Sequence, residues 1–379
     1  MTDKVIISRL EDLPPVPCTL GGMEWNPTGL WRYLTPTPRD KAAPCGAACP
    51  AGNPLPEVMA RLAQGRADAA LAALLENNPL PGVTGRLCYH PCQRDCLRAG
   101  VDRALPLQTL ERWLADHGQV KARPSKARGA RVAVLGAGPA GLTCAYLLGR
   151  QGLRISLFDP APQAGGFLRG AKGLPASVLS REVRRLKDLG GIEMILGQAA
   201  EPGLRGSAFD LVVLDSTAHS KSSPEAKALA DWAQAVKDAP LLRVEAKGFK
   251  TSQVAHAVAL GQELAARARA MLAGEEYAPP PDMEVVEAQA IKLDRFAPEK
   301  PRKKPPARLD AARAAHEAGR CMSCGRCNQC QECVLYCPDA CLALEGRAIK
   351  VDLAHCKGCG ICAQECPRGV ISMQAEAGS

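Results

Sequence analysis

The chain has 379 residues, 48 Lys and Arg against 39 Asp and Glu, a formal net charge of +9 and 18 cysteines. It is long enough for two or three domains with cores of their own. No stretch approaches the run of about eighteen apolar residues that a membrane span needs, and aromatics, at 4% of the chain, offer few stacking platforms for nucleic acid. The opening MTDKVIISRLEDLPP places acids where a targeting segment carries basic residues before an apolar run, so a reducing cytoplasm is expected. There, clustered thiols are metal ligands more often than disulfides.

Residues 1–44 are rich in proline and poor in periodic pattern, which predicts an extended arm lying along another domain or subunit, with Trp25 and Trp31 as aromatic anchors. From Pro54 the pattern turns helical, with Val58, Leu62, Leu71, Leu74 and Leu75 at helical spacings until Asn77-Asn78-Pro79 breaks it. Five cysteines bracket these helices: Cys45 and Cys49 before, Cys88, Cys92 and Cys96 after. The last three lie four apart, so a helical or near-helical turn would bring their sulfurs to one side.

The order C-x3-C-P, helical pair, N-P-L-P, G-R-x-C, later cysteines and a helix carrying Leu110-Glu111-Arg112 resembles the N-terminal iron–sulfur domain of the glutamate synthase small subunit, shared with dihydropyrimidine dehydrogenase. The resemblance runs from about Trp31 to Asp116. It implies two [4Fe-4S] clusters with interleaved ligands: Cys49, Cys88 and Cys92 with Glu111 on one, Cys45 and Cys96 as half of the other. A glutamate on an exposed helix face is the ordinary alternative for Glu111. The family's C-x2-C-G before the position of Cys45 is replaced here by TPRDKAAP.

Arg131 to Asp159 predicts a strand, the turn Gly136-x-Gly138-Pro139-Ala140-Gly141, a helix to about Gln151 and a second strand ending at Asp159. This frame suits a dinucleotide: the glycines admit a pyrophosphate to the helix N-terminus, and Asp159 accepts from a ribose. Gly165 and Gly166 extend the resemblance to the flavin-binding part of the glutamate synthase small subunit and imply FAD. Three family features are absent. The strand Phe209 to Leu214 continues as DSTAHS in place of a T-G pair, Phe249 stands where a ribityl-binding aspartate would, and no second glycine fingerprint for NADPH follows. The chain is therefore expected to hold no NAD(P) site.

The run Glu299 to Arg308, EKPRKKPPAR, is expected to be a basic linker over an acidic surface, and the remaining positive charge suits an acidic redox partner. Leu309 to Gly319 predicts an Ala-rich helix with Asp310 near its positive end. Then C-x2-C-x2-C-x3-C-P occurs twice: Cys327, Cys330, Cys333, Cys337 with Pro338, and Cys356, Cys359, Cys362, Cys366 with Pro367. This is the bacterial ferredoxin run, in which the fourth cysteine serves the other cluster. One [4Fe-4S] cluster is assigned to Cys327, Cys330, Cys333 and Cys366, a second to Cys356, Cys359, Cys362 and Cys337. A hairpin-like ALEGRAIKVD joins the two phrases. Structural zinc also favours paired C-x2-C but closes with four ligands and needs no third cysteine and C-P.

Cys321 and Cys324, in a displaced C-x2-C-G, are left over once those clusters are filled. The hypothesis is that Cys45, Cys96, Cys321 and Cys324 form one cluster joining two distant parts of the chain; the alternative makes Cys321 and Cys324 bystanders. With Glu111 there are then sixteen ligands for four cubes, and Cys18, Cys144 and Cys341 remain as buried thiols. His90, between Cys88 and Cys92, is expected to be solvated or beside a metal rather than on it.

The expected fold is a multidomain α+β chain: an extended arm (1–30), a helical N-terminal iron–sulfur domain (31–122), a truncated Rossmann-like α/β FAD-binding domain (123–275), a linker (276–308) and a C-terminal bacterial dicluster ferredoxin fold (309–379). The leading functional expectation is an electron-transfer subunit relaying electrons between a catalytic oxidoreductase partner, for which 2-oxoacid:ferredoxin oxidoreductase is a candidate by analogy, and ferredoxin or a similar carrier. A free-standing NAD(P)H-dependent flavin oxidoreductase and a cluster-holding scaffold are the alternatives.

Overall fold

The computed structural model describes residues 27–120, 129–188, 192–197, 209–235, 239–244, 248–299 and 309–376. These form two compact units, one spanning Lys41–Arg326 and one drawn from Met1–Asp40 and Cys327–Ser379. Cys18, Trp25 and the basic run after Glu299 lie outside the described residues.

The unit Lys41–Arg326 opens with short helices, Leu55–Ala63, Ala67–Leu74, Pro81–Leu87 and Leu107–His117. Their apolar stripes meet in one core of Val58, Met59, Leu62, Leu74, Leu110 and Leu114, all almost fully buried. The expected single-sided turn through Cys88, Cys92 and Cys96 does not form. Cys88 is extended at the end of Pro81–Leu87, His90 takes a left-handed conformation (φ 49°), and only Pro91–Arg94 is helical before Cys96. The break lets neighbouring cysteines face different ways.

A five-stranded parallel sheet follows, in the order Ile192–Leu196, Arg154–Asp159, Arg131–Leu135, Leu211–Leu214, Leu241–Arg243. The central strand is apolar on both faces because both are covered. Val132 and Val134 join a core with the helices Pro139–Arg150 and Val254–Ala273, while Ala133 and Leu135 pack with Trp232 and Leu229 of Pro224–Ala235. The two helices of the first face cross closely at Gly261, where a Cβ would come within 2.4 Å of the Ala140 carbonyl oxygen. The same long helix reaches the front of the unit: Gln262 donates from Nε2 to the carbonyls of Ala51 and Asn77, each at 2.8 Å.

The helix Ala311–Gly319 also belongs to this unit. Asp310 caps it by accepting from the Arg313 N–H at 2.8 Å, and Ala314 and Ala318 enter the core of the front helices. The division between the units therefore falls after Arg326, beyond the sequence boundary drawn at 309. What holds this segment is a buried ion network. The Arg320 guanidinium donates to Glu317 (2.6 Å), Asp102 (2.8 Å) and the Arg103 carbonyl (2.6 Å). Arg98 pairs with Asp102 at 2.6 Å and donates to the Arg320 carbonyl at 3.2 Å, while Arg103 pairs with Glu317 at 2.5 Å. The Arg98 hydrogen bond, joined by those from Arg103, Glu299 and Arg320, holds the Asp102 carboxyl well below the usual carboxylate range.

In the other unit, Leu34–Pro38 pairs antiparallel with Ile371–Ala375 and Arg32 pairs with Glu376 at 2.5 Å. The predicted hairpin forms between Leu342–Glu345 and Ala348–Val351. Cys333, Cys362 and Cys366 share a small core with Leu342, Val370 and Ile371. Trp31, expected as an anchor, is 62% exposed, because the arm is held by backbone pairing instead.

The network around Arg320 yields a stability prediction. Arg320→Met leaves Asp102 and Glu317 buried without their shared cation and is expected to cost about 3–5 kcal/mol, read as a lowered thermal midpoint. Arg94→Met, at a surface pair whose arginine is 75% exposed, should change the midpoint little; equal effects of the two changes would contradict this account of the network.

Candidate metal centres and a glycine loop

The cysteines of the unit Lys41–Arg326 act on one another in two sets that overlap at Cys92. Cys45, in the short helix Pro44–Ala47, has its thiol pushed far above its ordinary value by burial and then by the nearby sulfurs of Cys321, Cys96 and Cys324. Burial and then Cys49, Glu111 and Cys88 raise Cys92 in the same way. Cys49 is pushed up to about 11 by burial, with Glu111 and Cys88 adding to the rise and backbone N–H groups of Asn53 and Ala51 opposing it. Cys92 also adds the smallest rise to Cys45, and it shares one core with Cys45, Cys49, Cys96 and Cys321. Cys321 follows Arg320 directly, so the ion network that fixes Arg320 beside Asp102 also sets Cys321 and Cys324 near Cys45.

Glu111 is not on an exposed face: it is 7% exposed. Its Oε1 accepts from Thr84 Oγ1 at 2.5 Å and from Asn78 Nδ2 at 3.2 Å, and its Oε2 lies 3.3 Å from His90 Nε2. His90 is itself buried, with Nδ1 2.6 Å from the Cys88 carbonyl oxygen, so the solvated alternative for it is excluded. Sequence spacing gave no sign of the Asn78–Thr84–Glu111–His90 chain. Its only trace is Asn-Pro-Leu-Pro beside a break in helical periodicity.

In the unit of Met1–Asp40 and Cys327–Ser379, burial and then Cys366, Cys330 and Cys327 push the Cys333 thiol up to about 11, with a smaller effect from Cys362. Cys362 is also pushed up to about 11, by burial first, with Cys356, Cys359 and Cys337 adding to it and the Ala363 N–H opposing. Cys366 of the second phrase thus acts on Cys333 of the first, and Cys337 of the first on Cys362 of the second. Cys341 is 4% exposed and Cys144 fully buried, as expected of structural thiols.

Each group offers soft sulfur donors, one with a carboxylate, in surroundings that disfavour isolated thiolates and that a cationic iron–sulfur centre would balance. Among the described residues no three or more His, Cys, Asp or Glu converge closely enough for a single metal ion; a cube spreads its ligands over four corners. The donor sets fit [4Fe-4S] clusters.

The glycine loop is a different case. Gly136, Gly138, Pro139, Ala140 and Gly141 are all buried, and Gly136 has φ 101°. Asp159 is fully buried: its Oδ2 accepts from the Ala137 N–H at 2.6 Å, its Oδ1 from the Ala161 N–H at 2.8 Å, and His219 Nε2 lies 2.8 Å from Oδ1. Gly165 and Gly166 start a 3-10 turn beside it, both with positive φ. These residues lie together, and all but Gly166 are buried.

Known proteins match the chain in three places. Residues 39–123 match the family described as dihydropyrimidine dehydrogenase domain II, 4Fe-4S cluster, residues 134–172 the NAD(P)-binding Rossmann-like domain, and residues 349–372 the 4Fe-4S binding domain. Curated relatives include the NADP(+)-dependent formate dehydrogenase subunit beta of Moorella thermoacetica, 33% identical over 39% of this chain and 25% of that protein. The NADPH-Fe(3+) oxidoreductase subunit beta of Geobacter sulfurreducens is 31% identical over 52% of this chain and 31% of its own length. The glutamate synthase [NADPH] small chain of Bacillus subtilis is 37% identical over 37% of this chain and 29% of its length. The chain thus spans about a quarter to a third of these relatives. No described helix is long and apolar enough to cross a membrane. In order, the chain joins a helical 4Fe-4S domain of the dihydropyrimidine dehydrogenase type, a Rossmann-like domain and a second 4Fe-4S domain, and its homologues include the glutamate synthase small chain and oxidoreductase beta subunits.

Proposed function

We propose that the chain is an electron-transfer subunit of a multisubunit oxidoreductase and carries four [4Fe-4S] clusters. The ligand sets are Cys45, Cys96, Cys321 and Cys324; Cys49, Cys88, Cys92 and Glu111; Cys327, Cys330, Cys333 and Cys366; and Cys337, Cys356, Cys359 and Cys362. What supports this reading is that sulfurs distant in sequence act on one another, Cys45 with Cys321 and Cys324, Cys333 with Cys366, and Cys362 with Cys337, while the buried Glu111 acts on Cys49 and Cys92. Such clusters, when bound, supply one-electron transfer at potentials spanning about −700 to +450 mV.

The chain's own part is to hold the sulfurs, exclude water from them and tune them. Thr84 and Asn78 fix one oxygen of Glu111, leaving the other beside His90. The partner in this reading is a catalytic oxidoreductase, with 2-oxoacid:ferredoxin oxidoreductase the preferred host, and the second partner is ferredoxin or a similar carrier; a cytoplasmic setting suits the free thiols. The printed names of the relatives, subunits of oxidoreductases, support the subunit role.

Two experiments test the ligand sets. The protein purified without oxygen is expected to hold about sixteen iron atoms, and Cys321→Ser with Cys324→Ser should lower that by about a quarter; unchanged iron would show the pair to be bystanders. Glu111→Ala should alter the electron paramagnetic resonance of one reduced cluster and leave the other signals in place, whereas an unaltered spectrum would remove Glu111 from the ligands. Stoichiometric bleaching of a bound flavin by NADPH would instead favour a free-standing flavin oxidoreductase.

A further inference from the structure

A dinucleotide needs three things from a Rossmann-like loop: accessible N–H groups at the helix N-terminus, a glycine its pyrophosphate can approach, and a free carboxylate at the end of the second strand for ribose. In this chain each has been taken by the segment Asp215–His219, which leaves the end of the strand Leu211–Leu214. Asp215 is fully buried; its Oδ2 accepts the Gly141 N–H at 2.8 Å, and its Oδ1 accepts from the Thr217 N–H at 2.9 Å and Thr217 Oγ1 at 2.6 Å. Ala218 lies directly on the glycines. A Cβ on Gly138 would stand 2.5 Å from Ala218 Cα, one on Gly166 would stand 2.1 Å from the Ala218 carbonyl oxygen, and Phe167 N–H donates to that oxygen at 2.9 Å. Asp159 already accepts from two backbone N–H groups and faces His219.

We infer that the glycine motif is closed by the chain's own Asp215–His219 segment, so that neither FAD nor NAD(P) seats its pyrophosphate there and the Rossmann-like domain is a nucleotide-free spacer. The glycines are small so that the chain can approach itself, not a ligand. The segment is the DSTAHS stretch that replaces the T-G pair of the resembling family, and its Asp215 and His219 side chains supply, at the Gly141 N–H and at Asp159, hydrogen bonds a bound nucleotide would otherwise make. The inference is independent of the cluster assignment: it fails on nucleotide binding, whereas that assignment fails on iron.

The test uses the full chain with its iron. Flavin released by acid should be absent, and titration with FAD or ADP-ribose should show no saturable binding. Asp215→Ala with His219→Ala, at unchanged iron content and circular dichroism, should bind ADP-ribose at least about tenfold more tightly than the wild-type chain. Near-stoichiometric FAD in the wild-type chain, or saturable binding to it, would overturn the inference. A folded double variant no better than wild type would overturn the role given to the two side chains. Should the double variant fail to fold, His219→Ala alone, at a position 12% exposed, is read instead, with a gain in ADP-ribose affinity in support and no gain against.

Discussion

The arrangement depends on one buried electrostatic knot. Arg320, Asp102, Glu317, Arg98 and Arg103 bind a segment near residue 320 to a loop near residue 100, more than two hundred positions away in sequence. Buried ions are costly to desolvate and are tolerated when every partner is satisfied. Here the partners include the carbonyls of Arg103 and Arg320, so the knot fixes backbone as well as side chains. The backbone it fixes is the one that leads into Cys321 and the one that follows Cys96.

That placement explains a departure in the sequence. In the proposed ligand set, the paired cysteines absent before Cys45 are supplied by Cys321 and Cys324, which follow a helix whose Ala314 and Ala318 pack into the front core. The ferredoxin phrases solve the same problem at short range, since a loop that has offered three sulfurs needs its fourth from another loop. In the proposed set with Cys49, Cys88 and Cys92 the fourth ligand is the Glu111 carboxylate, held from behind by Thr84 and Asn78.

Much of this was legible because the signals were local. Cysteine spacing gave the tail groups, helical periodicity gave Val58, Leu62, Leu71 and Leu74 as core residues, and the strand–glycine–helix–strand frame gave the sheet. The pairing of Cys45 with Cys321 was reached from a displaced C-x2-C-G together with a count of leftover sulfurs. What the sequence did not disclose is tertiary. His90 is buried against Glu111, and the glycine fingerprint, which gives the same signal whether the loop is open or covered, is closed by residues some eighty positions downstream. A DSTAHS in place of T-G showed that something had changed there; only the geometry of Asp215, Ala218 and His219 shows what.

On the proposals made above, the Rossmann-like sheet is a support for metal centres at either side of it in sequence. The most direct measurement is native mass spectrometry of the full chain isolated without oxygen, together with metal analysis. The account predicts a mass excess equal to four [4Fe-4S] clusters with no flavin or nucleotide, and iron as the metal. Zinc in the cysteine groups, or a mass corresponding to the two tail clusters alone, would contradict it.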